Sequence, residues 1–188
     1  MMKRRNLRIA TASAAGLFMI YASQPRAQAA DANSAPTQAI GTPDALTAEA
    51  QRKNAPDFTL IDAAGQPLTL SSYKGKVVLL DFWATWCGGC KVEIPWYVEF
   101  DQKYRDKGLA VIGVSVDDQG MKIVKPFLAA KHIKYAVVIG NDELAHQYNL
   151  TSMPLTLLID RNGKIAVSHA GIVDKNSFES HIQNLLKQ

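Results

Sequence analysis

One stretch limits what this chain can fold into more than any other. Residues 77–83, VVLLDFW, are apolar at every position except Asp81. A strand with one wet face alternates apolar and polar residues, whereas a run like this fits a central strand covered on both faces. Ala84-Thr85-Trp86 follow directly, and then come both cysteines of the protein, Cys87 and Cys90. From Cys90 onward Ile94, Tyr97, Asp101 and Tyr104 recur at helical spacing, with Pro95 expected as a kink.

A disulfide between residues this close closes almost no loop, so it can hardly staple a fold. Chemistry is the better reason for the pair. A thiol at a helix N-terminus faces free backbone N–H groups and the positive end of the helix dipole, and both favour the thiolate that attacks disulfides. Cys87 is the expected nucleophile and Cys90, one turn in, the resolving thiol. A zinc site needs four ligands. There is no second cysteine pair, and His132, His146, His169 and His181 are scattered along the chain. No metal ligands are assigned, and the expected redox group is a Cys87–Cys90 disulfide with no other cofactor.

The 188 residues fit one domain plus an extension. Residues 1–30 read as an export signal, with a basic start over Met2–Arg8, an apolar stretch from Ile9 to Ala22, and Ala27-Gln28-Ala29 as a cleavage pattern. Arg4-Arg5 partly resembles a twin-arginine signal, although Lys3 stands where that signal prefers Ser or Thr. Five of the 21 basic residues lie in this leader, which leaves 16 against 17 acidic residues and no electrostatic case for nucleic acid. Residues 31–54 are rich in Ala, Thr, Pro and Gln and read as a flexible tether.

The domain is expected over residues 55–188. Phe58–Ile61 and Leu68–Leu70 form a hairpin, with a turn over Ser71–Lys76. Leu109–Val116 is a second buried strand, Gln119–His132 a helix, Ala136–Ile139 a strand and Asp142–Tyr148 a short helix. Leu155–Asp160 and Lys164–His169 pair through an Asn-Gly turn. Asp174 caps a last helix reaching Lys187. The pattern predicts an α/β fold with a mixed sheet.

DFWATWCGGCK resembles the active-site segment of thioredoxins. With APDFTLIDAAGQPLTLSSYKGK, CGGCKVEIP, VIGVSVDD and NLTSMPLTLLIDRNGKI, the wider pattern resembles the exported TlpA/ResA-like branch of that superfamily. The likeness runs from about Ala55 to Gln188. It implies a thioredoxin-like fold, with a central mixed sheet flanked by helices, an N-terminal β-hairpin and a central helical insertion.

The resemblance also assigns residues. It implies a cis bond at Met153-Pro154, packed beside the cysteines, with the Met153 backbone offered to an extended substrate chain. Met153 is bulky and adaptable where relatives often carry Thr, which makes it a candidate specificity position. Thioredoxins have an Asp at the place of Asp81 that takes the proton of the resolving thiol, and a carboxyl inside an apolar strand is expected to have a raised pKa. ResA-like proteins have a functional Glu at the place of Glu93, and many carry Asn where this chain has Asp81. Trp86 is expected to form an apolar docking surface, with Trp83 packed beneath and Trp96 a weaker candidate. The Gly88-Gly89 spacer departs from the family, because most thioredoxins have Pro where Gly89 stands. A looser loop is expected there. The extra N–H and the added freedom of glycine pull the potential in opposite directions.

The implied function is an exported, periplasmic thiol–disulfide oxidoreductase that reduces protein disulfides through a mixed disulfide. Its implied partners are disulfide-bearing exported proteins, apocytochromes c among them, and a membrane electron donor of DsbD or CcdA type. Two other readings are a peroxiredoxin-like thiol peroxidase, which shares APDFTL and the hairpin, and a copper-binding assembly protein using the dithiol with His169. Peroxiredoxins place Pro and Thr at set spacing before the reactive cysteine. Here Thr85 lies two residues before Cys87 and the Pro is missing.

Overall fold

The computed structural model describes residues 45–188; the export signal and the first part of the tether lie outside them. In chain order the elements are β1 (Thr59–Ile61), β2 (Pro67–Thr69), β3 (Val77–Trp83), α1 (Gly88–Tyr104), β4 (Leu109–Ser115), α2 (Met121–Ala130), β5 (Ala136–Ile139), α3 (Asp142–Gln147), β6 (Leu155–Ile159), β7 (Ile165–Ala170) and α4 (Lys175–Leu186). The central sheet has the order β5-β4-β3-β6-β7. β3 runs parallel to β4 and antiparallel to β6, so it lies in the middle of a mixed sheet. This is the thioredoxin-like architecture, with α2 and β5 as the central insertion and β1–β2 as the separate N-terminal hairpin.

Every residue of β3 is buried, because both faces of the sheet are covered. Val77, Leu79 and Trp83 point to one side and pack with Ile94, Tyr97 and Phe100 of α1, Val124 and Leu128 of α2, and Phe178, Ile182 and Leu185 of α4. Val78, Leu80 and Phe82 point to the other, where Leu68 of the hairpin, Leu144 of α3 and Tyr148 close the second layer. Strand alternation then puts Asp81 on the α1 side. The registers align it with Thr156 of β6 and His169 of β7, so three polar side chains form one row across the sheet.

Local signals hold where they are short-range. Asp174 caps α4 by accepting from Ser177 N–H at 2.8 Å. The turn read over Ser71–Lys76 begins as a 3-10 helix, Leu70–Tyr73, and α1 continues through Pro95 as one helix.

Residues 47–54, the described end of the expected tether, differ from what their composition suggests. Thr47 N–H donates to Ala166 C=O, Ile165 N–H to Lys53 C=O and Ala55 N–H to Gly163 C=O, so residues 47–55 run along β7 and its turn. Arg52 is the anchor. Its guanidinium is buried, donating to Asp160 at 3.0 Å, to Gln188 Oε1 at 3.1 Å and to Thr47 C=O at 2.9 Å. Composition hides this, because one buried arginine outweighs a run of small polar residues. The folded unit therefore begins before Ala55.

Removing one partner of a buried ion pair strands the other. Arg52→Ala is expected to lower the unfolding free energy by about 3 kcal/mol, read by urea denaturation of the disulfide-bonded chain.

Candidate active site

The site is built where β3 hands over to α1. Cys87 is the N-cap of that helix, and its Sγ accepts the N–H of Cys90 at 3.1 Å. The two cysteines form a disulfide, with Cα atoms 5.3 Å apart. Cys87 keeps 7% of its surface exposed and Cys90 none. The two sulfurs are therefore unequally accessible from solvent.

Thr85, between strand and cysteine, is fixed from the end of the neighbouring strand β4. Asp117, buried just after β4, accepts from Thr85 N–H at 2.9 Å and Thr85 Oγ1 at 2.7 Å, and from Ser115 Oγ at 2.8 Å. Trp86 is then held outward, 65% exposed, while Trp83 is fully buried against Phe127. A β-carbon at Gly113, on the adjacent strand, would lie 2.8 Å from Trp83 Nε1, so the glycine makes room for the indole. Trp96 is half-buried at the edge of the core.

The Met153-Pro154 bond is cis, and Pro154 is buried. Met153 packs partly against the α1-side core. Gly88 has open space around it, but a β-carbon on Gly89 would lie 3.1 Å from Pro154 Cδ and 3.2 Å from Ile172 Cγ1. The loose spacer expected from two glycines is therefore absent: Gly89 lies within the first turn of α1, and Pro154 and Ile172 occupy the room a side chain would need.

Two carboxyls on the strand and helix that flank the disulfide, Asp81 of β3 and Glu93 of α1, are fully buried. Tyr97 OH lies 2.9 Å from Thr156 Oγ1, which makes a long 3.4 Å hydrogen bond to Asp81 Oδ1. Glu93 Oε1 accepts from Val173 N–H at 2.7 Å. Asp81 Oδ2 and Glu93 Oε2 are buried without a hydrogen-bond partner. Burial, and then the charge of Glu93, push the Asp81 carboxyl well above the usual carboxylate range, against a weak opposing pull from the Thr156 hydroxyl. Burial raises Glu93 to about 7, against the pull of the Val173 N–H. Two acids that both resist ionisation this close together titrate as a pair.

The structure thus brings Pro154 against Gly89, between the two cysteines, and buries Asp81 and Glu93 in the core, while among the described residues no contact joins His132 or His146 to this group. Sequence reasoning missed Asp117 and the loop residues Ile172 and Val173. The one signal for Asp117 was a pair of acids directly after a buried strand.

Comparison with known proteins agrees with this geometry. The AhpC/TSA family model matches residues 52–168. The chain is 34% identical over 140 residues to thiol-disulfide oxidoreductase ResA of Geobacillus kaustophilus, covering 74% of this chain and 80% of that one. The chain belongs to this family, in its ResA-like thiol–disulfide oxidoreductase branch. Thioredoxin-like protein YneN of Bacillus subtilis is 34% identical over 132 residues, covering 69% of this chain and 77% of that one. The crystal structure of a thiol:disulfide interchange protein of the thioredoxin family from Chlorobium tepidum superposes with a TM-score of 0.67 at 29% identity, covering 74% of this chain and 99% of that one. The activity of this oxidoreductase is thiol–disulfide exchange.

The raised acids make its stability depend on pH in a defined sense. Glu93 binds its proton more tightly folded than unfolded, so its contribution is complete below its ordinary value of 4.5 and is lost as pH rises through about 7. Asp81 acts in the same direction. Urea denaturation of the disulfide-bonded chain between pH 5 and pH 8 should show stability falling as pH rises. Glu93→Gln should flatten the fall between about pH 5 and pH 7.

Proposed function

We propose that this oxidoreductase works outside the cytoplasm as a reductant of protein disulfides, with Cys87 as nucleophile and Cys90 as resolving thiol. The observation that carries the reading is the unequal placement of the two sulfurs at the start of α1, one with accessible surface and one with none. The signal-like pattern of residues 1–30 supports export, most simply to a periplasm. Among the described residues no helix is long and apolar enough to cross a membrane.

In the reduced enzyme the Cys87 thiolate attacks one sulfur of a partner disulfide. The partner's S–S bond breaks, its other sulfur leaves as thiolate and takes up a proton, and Cys87 is left in a mixed disulfide. Cys90 loses its proton to the Asp81–Glu93 pair and attacks Cys87 Sγ. That expels the second partner sulfur and leaves the Cys87–Cys90 disulfide, so two electrons have passed to the partner. Burial raises both acids, and Glu93, raised to about 7, has ionised form available at working pH. Trp86 and Met153-Pro154 supply the surface against which the partner chain lies. Extracytoplasmic surroundings are oxidising, so the enzyme needs an outside source of electrons. A membrane donor of DsbD or CcdA type fills that role, and apocytochromes c are among the clients that fit.

Three measurements test this together. The reduced chain should reduce insulin disulfides, Cys87→Ser should abolish the activity, and Cys90→Ser should accumulate the mixed disulfide. Asp81→Asn and Glu93→Gln should each slow resolution by about tenfold and shift its pH profile. Unchanged profiles in both variants would remove the acids from the mechanism. A reduction potential near about −120 mV, typical of a strong oxidant, would overturn the reductant assignment.

A further inference from the structure

The peptide unit joining Ile172 to Val173 is held from both sides. Its N–H, belonging to Val173, donates to Glu93 Oε1 at 2.7 Å in a buried bond. Its C=O, belonging to Ile172, lies 3.2 Å from Nε2 of His169. A carbonyl can only accept, so Nε2 is the donor in that bond. The two side chains reach this peptide from different elements, Glu93 from α1 and His169 from β7. One residue earlier, Gly171 N–H donates to Pro154 C=O at 2.8 Å. The loop between β7 and α4 is therefore tied in turn to the cis-proline segment, to β7 and to α1.

This fixing has a consequence for the side chain of Ile172. Val173 is the core residue of the loop, 3% exposed and packed with the α1-side cluster. Ile172 is 50% exposed, and its Cγ1 would lie 3.2 Å from a β-carbon on Gly89, which is also where Pro154 Cδ approaches. A branched apolar side chain is thus held partly in solvent against the backbone between the two cysteines. Its backbone is pinned, so it has little freedom to fold inward, and an apolar surface fixed in this way favours whatever covers it.

We propose that Ile172 is a substrate-contacting specificity residue, a fixed apolar wall beside Gly89 against which an apolar side chain flanking the partner polypeptide's disulfide packs, and that His169 is the positioning residue that holds it there through the Ile172 carbonyl. The proposal rests on the reading of this chain as a protein-disulfide oxidoreductase. Continuity with the redox site selects the occupant: the wall adjoins the spacer between the sulfurs, so any polypeptide reaching Cys87 passes close to it. A small disulfide reacts at Cys87 and gains nothing from it.

The test uses the full chain, reduced, mixed rapidly with insulin over a range of concentrations and separately with 5,5′-dithiobis(2-nitrobenzoate). Ile172→Ala should raise the insulin concentration giving half-maximal rate by about three- to tenfold, as expected for losing an apolar contact that is half-buried already. The limiting rate, the rate with the small disulfide and the equilibrium constant for exchange with glutathione should stay within about twofold of wild type, since no group on the reacting sulfurs has changed. Ile172→Val, one methyl smaller, should show a lesser rise.

His169→Ala should raise the half-maximal concentration in the same way. His169→Gln, whose amide N–H can donate to the same carbonyl, should restore most of the loss, a rescue that a purely structural role would not require. The double variant Ile172→Ala with His169→Ala should be no worse than the poorer single one. The proposal is overturned if Ile172→Ala leaves the insulin dependence unchanged, if both substrates slow equally, or if Gln at 169 fails as badly as Ala. A wild-type chain that reacts with the small disulfide but not with insulin overturns the protein-disulfide reading itself, which separates that failure from failure of the variants alone.

Discussion

The active end of this molecule depends on a sulfur standing where helices usually place an oxygen. Ser, Thr, Asp and Asn are the strong N-caps because a side-chain oxygen satisfies the first free N–H groups. Cys87 does that task for Cys90 N–H with a weaker acceptor. The helix start is stabilised instead by its neighbours: Asp117 fixes the approach through Thr85, and Pro154 and Ile172 close on Gly89 from the side. The same geometry that makes a modest cap makes a good thiolate site, because the N–H groups and helix dipole that want an oxygen stabilise a sulfur anion equally well.

The second constraint is the row that crosses the sheet at Asp81. A strand buried on both faces has no solvent for a carboxyl, yet this one carries Asp81, and the helix packed over it adds Glu93. Each raises the difficulty of ionising the other. Such an arrangement weakens the native state when both acids are forced to ionise, and its retention makes sense where protons have to be exchanged with a buried thiol. Glu93 has two oxygens with separate duties, since one is committed to Val173 N–H while the other has no hydrogen-bond partner. The proton handling proposed for Glu93 and the position of the β7–α4 loop would therefore be linked through one side chain.

Much of this was legible in the sequence, and what was not has a common physical cause. The apolar run of β3, the cysteine spacing, the Asn-Gly turn and the Asp174 cap are local signals, and each lies where the sequence predicts it. Asp81 stood out as a lone acid in an apolar strand. The bonds from Asp117 to Thr85, from Glu93 to Val173 and from Arg52 to Asp160 join residues 32, 80 and 108 positions apart. Nothing in the neighbourhood of any of these residues announces such a partner; only the strand order brings them together. Gly89 was misjudged for a related reason. Its flexibility is a property of the residue, but whether that freedom is used depends on what packs against it, and Pro154 lies 65 residues away in sequence.

The Arg52 strap has an implication for how this sheet meets other chains. Exposed strand edges invite pairing with any extended polypeptide. On one side the hairpin closes over β5, with Ala63 N–H bonded to Val137 C=O and Asp62 bridged to Val138. On the other, residues 47–54 lie along the start of β7, held by Arg52. A thiol–disulfide oxidoreductase thus keeps much of its ladder out of reach. Under the proposed mechanism an incoming chain is left the short segment before Pro154 rather than an open edge, and the covalent step rather than a ladder would decide how long the partner stays.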